Sequence, residues 1–305
     1  MTLVYIGENS GFCFGVKRAI DKTLELAEKG KVKTLGYVIH NEQAVRRLKE
    51  KGVEIIENPE ELDNNGAFTV IRTHGVKKDL LEKLKSSNIN FFDATCPFVI
   101  RSQRIVEKFS DQGYGIIIFG DPKHPEVVGV VSYAKTENVF VVQKPEDVSN
   151  IPPIKKFLVV SQTTQKLDEF IEIVKKVIER GFEVRVFNTV CEVTVDAQKE
   201  AYEIAKLSDV VIVVGGKMSS NTDKLYKVCK GITESHKVET AEELESEWIT
   251  NRNKIGVVAG TSTPDWIIKD VINKIKSIKS DKVEIVRVGQ KNRYSAESIL
   301  EEFGS

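Results

Sequence analysis

Three of the four cysteines in this 305-residue chain recur in one setting. Cys13 (GFCFGVKRAI), Cys96 (ATCPFVIRSQRIV) and Cys191 (NTVCEVTVDAQKEA) each stand between a strand with its loop and a helical pattern. A helix N-terminus offers unpaired amides and the positive end of the helix dipole, which stabilise anionic sulfur and lower a thiol's pKa. Cys229, in LYKVCKGI, lies inside a helical pattern and reads as a small buried hydrophobe. Zinc sites usually recruit close pairs such as C-x-x-C, and ferredoxin-type clusters use four closely spaced cysteines; neither pattern occurs here. Three distant cysteines suit a cluster in which one iron has no protein ligand, a Lewis acid that binds a substrate oxygen and passes electrons. On these residues alone, separate catalytic or structural roles stay open.

His40 (VIHNEQ), His74 (RTHGV) and His124 (PKHPEV) follow strand-like runs, where open parallel sheets place ligand-binding groups. His236 (TESHKVET) lacks that setting and is expected at the surface. A single loop histidine is most often structural or solvated, whereas three in equivalent settings point to a shared pocket. The segments SQTTQ (161–165), GGKMSSNT (215–222) and AGTSTPDW (259–266) bring hydroxyls and amides beside glycines and helix starts, a pattern that binds phosphate oxygens. No G-x-x-x-x-G-K-[ST] or G-x-G-x-x-G occurs, so ATP and dinucleotide loops of those types are unsupported. Glu126, in H-P-E-V, is either an ordinary exposed acid or a pocket carboxyl that holds a proton near neutral pH and supplies it to a leaving hydroxyl.

The elements that must position these groups alternate. Strand-like runs include 3–6, 68–72, 114–120, 139–142, 157–162, 183–187, 209–216 and 255–260, several of them almost continuously apolar, as in parallel strands covered on both faces. Amphipathic helical stretches fall at 16–30, 99–113, 166–181 and 196–207. The fold class is therefore α/β with mainly parallel sheet. Cys13 to Cys96 spans 83 residues and Cys96 to Cys191 spans 95, which predicts three comparable α/β lobes near 1–95, 96–190 and 191–280, with chain crossings between them. The C-terminal region near 281–305 is expected to add a last strand (SDKVEIVRV, from Ser280) and a polar tail. Lys plus Arg and Asp plus Glu are each 45, and this zero net charge argues against a broad nucleic-acid-binding face. No apolar run of membrane-spanning length and no signal-like N-terminus is present, so a cytoplasmic protein outside the membrane is expected.

The set GFCFGVKRA, HN (40–41), RTHGV, DATCP, HPEVVG, QTT, NTVC, SSNT and AGTSTP, in this order from about residue 8 to residue 270, resembles the 4-hydroxy-3-methylbut-2-enyl diphosphate reductase (IspH/LytB) family. The resemblance implies three α/β lobes in pseudo-threefold arrangement around one oxygen-sensitive [4Fe–4S] cluster per chain, with Cys13, Cys96 and Cys191 as ligands. Loss of the open-site iron in air would leave [3Fe–4S] or an empty site. It implies reductive dehydroxylation of (E)-4-hydroxy-3-methylbut-2-enyl diphosphate to isopentenyl and dimethylallyl diphosphate, the last step of the methylerythritol phosphate pathway. Carried over by motif, His40, His74, His124, Ser219, Ser220, Asn221 and Ser262 surround the diphosphate. Glu126 becomes the proton source through a relay that includes the diphosphate, Thr163 lies near the substrate hydroxyl, and Thr164 beside it is a further pocket residue. His124 joins Glu126 and Thr163 in the catalytic set. With no nicotinamide or flavin motif in the chain, a ferredoxin or flavodoxin is the expected electron donor.

One departure concerns CEVTVDAQ, where the family usually has C-x-A-T-x-x-R-Q: Val193 replaces a small residue and Ala197 an arginine. That bears on local packing and charge, not on the cysteine. The rival readings are another three-cysteine cluster enzyme, such as a dehydratase or a quinolinate-synthase-like enzyme, and a non-catalytic zinc or regulatory protein that binds small phosphates. HPE together with SSN and QTT favours the diphosphate reading over the first, and the lack of paired cysteines disfavours the second.

Overall fold

Strands that are apolar on both faces need a helix layer on each side, which βαβ crossovers supply. The computed structural model, which describes residues 1–62 and 66–289, is built this way. The strands are β1 (Thr2–Gly7), β2 (Val32–Leu35), β3 (Val53–Ile56), β4 (Phe68–Ile71), β5 (Phe91–Asp93), β6 (Gly115–Phe119), β7 (Val139–Val142), β8 (Lys156–Ser161), β9 (Glu183–Val186), β10 (Val210–Val214), β11 (Glu234–Val238), β12 (Lys254–Ala259) and β13 (Val283–Val288). They form three sheets, in the orders β11-β10-β12-β1-β13, β3-β2-β4-β5 and β7-β6-β8-β9. Every strand pairing among the described residues is parallel.

The three orders are one order repeated. Numbering the strands of each sheet by position, both four-stranded sheets run second-first-third-fourth. The five-stranded sheet does the same with β10, β11 and β12, but its fourth place is taken by β1 from the other end of the chain, and β13 adds an outer edge. The α/β class and the repeated unit expected from the cysteine spacing are thus present as three parallel sheets.

Among the described residues, one compact unit comprises Met1–Lys17, Ile39–Arg47 and 192–289; the other comprises Arg18–Val38 and Leu48–Cys191. In the first unit, β10 is wholly buried and its side chains divide by period two. Val210, Ile212 and Val214 pack with Val4, Ile6, Val257 and the helix Asp265–Ile278, while Val211 and Val213 pack with Ala197, Ala201, Ile204, Leu225 and Cys229. Cys229 is fully buried in that second layer, and burial pushes its thiol up to about 12, so the core reading holds. In the second unit, β6 and β8 supply Ile116, Ile118, Leu158 and Val160 to a core closed by Val106, Val127 and Val130.

The four expected amphipathic stretches are the helices Phe14–Lys29, Pro97–Asp111, Leu167–Ile178 and Glu192–Leu207. β13 falls in the segment expected to add a last strand, while the polar tail 290–305 lies outside the described residues. His236 lies at a sheet edge, partly exposed on β11, stacked on Trp248 at 3.9 Å with 7° between planes, and its Nε2 lies 2.9 Å from Glu234. A polar-looking edge strand shelters under one aromatic ring. No helix among the described residues is long and apolar enough to cross a membrane.

Candidate active site

In a doubly wound sheet the crevice at the carboxyl ends of the strands, where the winding direction reverses, receives ligands. Each sheet here has that reversal between its first and third strands. A glycine follows the first strand each time (Gly36, Gly120 and Gly215), and its N–H donates to the last residue of the neighbouring strand, at 2.8, 2.9 and 2.9 Å. A helix capped by a side chain comes next in the chain. Asn41 accepts from Ala44 N–H at 3.0 Å, His124 Nδ1 from Glu126 N–H at 3.2 Å, and Ser219 Oγ from Thr222 N–H at 3.3 Å.

The fourth strands lead to the cysteines. Cys13 directly precedes the helix Phe14–Lys29, Cys96 caps Pro97–Asp111, and Cys191 precedes Glu192–Leu207. The backbone N–H of each donates to the carbonyl of a threonine two residues past the third strand of its own sheet: Cys13 to Thr261 at 3.0 Å, Cys96 to Thr73 at 2.9 Å and Cys191 to Thr163 at 2.8 Å. None of the three is in a disulfide. Burial holds the Cys13 thiol above its ordinary value although the Val16 and Gly15 amides pull it down. A bound cation reverses that balance, because it favours the thiolate directly. Unbridged thiols at helix starts, with amides already aimed at one sulfur, fit the soft donor set of an iron–sulfur cluster.

Glu126 is 2% exposed, on the first turn of the helix Pro125–Val131. Its carboxylate accepts two hydrogen bonds from one residue, Thr163 N–H at 2.6 Å and Thr163 Oγ1 at 2.7 Å. Burial outweighs both and raises the carboxyl to about 7, so near neutral pH it is a poised proton donor. Because His124 Nδ1 accepts from the Glu126 amide, a neutral His124 carries its proton on Nε2. The ring of His74 meets that of His124 edge-on at 5.3 Å. Thr163 thus touches Glu126 with its side chain and Cys191 with its carbonyl. Thr164 Oγ1 accepts from Gln162 Nε2 at 3.0 Å.

In the other unit, Ser219 begins the helix Ser220–Lys230, and Ser262 Oγ lies 3.4 Å from Ser219 Oγ. Asn221 is 3% exposed, yet neither polar atom of its side chain has a partner among the described residues. Thr222 Oγ1 is buried in the same state. Buried amides are almost always paired, so an unpaired one at a helix N-terminus, directly after two serines, fits a site completed by an anionic ligand. Gly216 admits no side chain, because a Cβ there would strike the His40 carbonyl oxygen. Gly216→Ala is therefore expected to push this loop off His40 and weaken pyrophosphate binding about tenfold (about 1.4 kcal/mol) in calorimetric titration. Gly231→Ala, at the far end of the same helix where a Cβ meets only ordinary contacts at 3.5 Å, should leave the affinity unchanged.

The structure brings Glu126, Thr163, His124 and His74 together in one unit, and Ser219, Asn221 and Ser262 with the His40 backbone in the other. Ser220 opens the helix that Ser219 caps. The motif reading gave Gln162 no role of its own; it is 2% exposed, and its Oε1 accepts from Asp121 N–H at 3.1 Å and so ties the loop after β6 to the loop after β8. That reading also overlooked the three threonine carbonyls that hold the cysteines. Their signal was a threonine two residues beyond an apolar strand, in RTHG, QTTQ and GTST. Val193 and Ala197, which depart from the usual pattern, are buried, and Ala197 packs in an apolar layer.

Comparison with known proteins agrees with this geometry. A family model described as LytB protein matches residues 4–276. The chain is 44% identical over 270 residues to a Nautilia profundicola protein named 4-hydroxy-3-methylbut-2-enyl diphosphate reductase, covering 88% of this chain and 96% of that protein. It is 46% identical over 279 residues to a Nitratiruptor protein of the same name, covering 90% and 99%. Among solved structures, one described as (E)-4-hydroxy-3-methyl-but-2-enyl diphosphate reductase, the terminal enzyme of the non-mevalonate pathway, superposes with TM-score 0.69 at 38% identity, covering 91% of this chain and all of that one. The Plasmodium falciparum E-1-hydroxy-2-methyl-but-2-enyl-4-diphosphate reductase superposes with TM-score 0.87 at 25% identity, covering 99% and 98%.

Proposed function

This chain belongs to the LytB protein family, and from that premise we propose that it reduces (E)-4-hydroxy-3-methylbut-2-enyl diphosphate to isopentenyl and dimethylallyl diphosphate, closing the methylerythritol phosphate route. In this reading three α/β lobes near 1–95, 96–190 and 191–280 surround one [4Fe–4S] cluster held by Cys13, Cys96 and Cys191. When bound, such a cluster supplies electrons and a Lewis-acidic iron without a protein ligand. The reaction consumes two electrons, from a ferredoxin or flavodoxin, and two protons, and releases the hydroxyl as water.

The protein's own groups divide the remaining work. The helix start at Ser219, Ser220 and Asn221, with Ser262 and the three histidines, holds the diphosphate by neutral donors and imidazoles, in keeping with the chain's zero net charge. Glu126 holds a proton and releases it as the hydroxyl leaves, Thr163 orients it, and Thr164 lines the same pocket. The observation that carries the reading is Glu126, a buried carboxyl raised to about 7 whose orienting residue also accepts the Cys191 amide.

Anaerobic purification followed by iron and sulfide analysis and electron paramagnetic resonance tests it. About four irons per chain and a signal perturbed by the allylic diphosphate are expected, with turnover from reduced dye. Zinc without sulfide, or turnover of a hydroxy acid instead, would replace this reading.

A further inference from the structure

Three side chains tie the segment that begins at one cysteine to the segment that ends at the next. Arg18 stands five residues after Cys13, and its Nη2 donates to the carbonyl of Asp93, three residues before Cys96, at 2.9 Å. Arg101 stands five residues after Cys96, and its Nη2 donates to the carbonyl of Asn188, three residues before Cys191, at 2.7 Å. The third tie reverses polarity. Glu200, on the helix that starts after Cys191, accepts from Asn9 N–H at 3.2 Å and from Asn9 Nδ2 at 2.6 Å, four residues before Cys13.

The segments reached by the two arginines are themselves held by local hydrogen bonds, and the third tie is closely packed. Asp93 Oδ1 accepts from Thr95 N–H at 2.9 Å and from the Thr95 hydroxyl, and the Phe92 ring lies 5.5 Å under the Arg18 guanidinium. Asn188 Oδ1 accepts from Val190 N–H at 3.2 Å. Glu200 is 8% exposed, and its carboxylate fills the space beside Gly7 and Gly289, where a Cβ at either glycine would strike it. The same offsets recur twice, and a carboxylate closes the third place, where the corresponding position five residues after Cys191 is Asp196. An aspartate there has no donor to offer a carbonyl. The contact is made instead one turn further along, with donor and acceptor exchanged.

We propose that Arg18, Arg101 and Glu200 are positioning residues for the three thiols. Each locks a cysteine-bearing loop to the helix that starts at another cysteine, so that the sulfurs keep their places whether or not metal is bound. This rests on the cluster assignment above. None of the three touches a sulfur; they act through the loop backbone, as outer-shell partners orient metal ligands elsewhere.

The test is iron release to a chelator from anaerobically reconstituted protein. Arg18→Gln, Arg101→Gln and Glu200→Ala are expected to release iron about 10- to 100-fold faster than wild type. Arg101→Lys, which keeps a donor without the fork, should fall between. The control is Ile275→Val, which loosens an apolar layer away from these ties. Release faster in the tie variants than in a control of equal melting temperature supports the proposal. Equal release in wild type and tie variants overturns it while leaving the cluster in place, and equal acceleration in the control overturns it by assigning the residues to general stability. Wild type that takes up no iron removes the cluster assignment itself.

Discussion

Glu126→Gln is expected to lower turnover by about 10²- to 10⁴-fold, with iron content and diphosphate affinity retained. The substitution keeps shape, and the amide still offers one oxygen to the Thr163 N–H, while its NH₂ faces a hydroxyl able to accept. What disappears is the only proton on that side chain that can leave at neutral pH. In wild type the carboxyl sits at about 7, so reduction should decline as pH rises through that value, and the decline should be absent in Glu126→Gln. Linkage gives a matching signature in stability. The folded pKa lies above the ordinary carboxyl value of 4.5 because burial disfavours the charged form. The contribution of Glu126 to folding is thus fully present below that ordinary value and is lost as pH climbs through about 7. Glu126→Gln should flatten the urea-midpoint profile over that window. Wild-type turnover in the variant would dismiss Glu126 as the acid.

Replacing Cys13, Cys96 or Cys191 singly by serine should abolish both iron retention and activity, because an alkoxide is a poor substitute for a soft thiolate ligand. Each thiol sits where its loop meets a helix start and is anchored by its own N–H to a threonine carbonyl, so the chain should fold without the sulfur. Cys229→Ser supplies the contrast. That thiol is buried among Ala201, Ile204 and Leu225, with Sγ 3.7 Å from the Ala201 carbonyl, so the variant should lose about 1–3 kcal/mol of stability and keep its iron. Iron per chain and melting temperature, measured on all four variants, separate the two kinds of cysteine. Retention of iron by any one of the first three would remove that residue from the ligand set.

Much of the fold was legible because its strongest signals are local. β6, β8, β10 and β12 are dominated by β-branched and other apolar residues, and covering on both faces leaves little place for polar ones. β2, β3, β5 and β11 escaped the same reading. β2, β3 and β5 are short, and Lys33, Glu54 and the ESHKV run of β11 put charge where the pattern should be apolar. β3 and β11 lie at sheet edges, where a charged side chain still reaches solvent.

The sequence by itself determined which residues are proposed to carry the chemistry: three cysteines at helix starts, histidines after strands, the acid of H-P-E, and the serines and asparagine at a helix start. Those features are set by side-chain identity and by the helix termini next to them, and short segments reveal both. Tertiary structure decided the rest. It put β1 into the sheet of the C-terminal strands, paired each cysteine amide with a threonine carbonyl, and buried Glu126 against Thr163. It also left the Asn221 side chain without a partner among the described residues. The physical reason is distance along the chain. A carboxyl becomes an acid at neutral pH only when another segment takes away its water, and 37 residues separate Glu126 from the threonine that holds it.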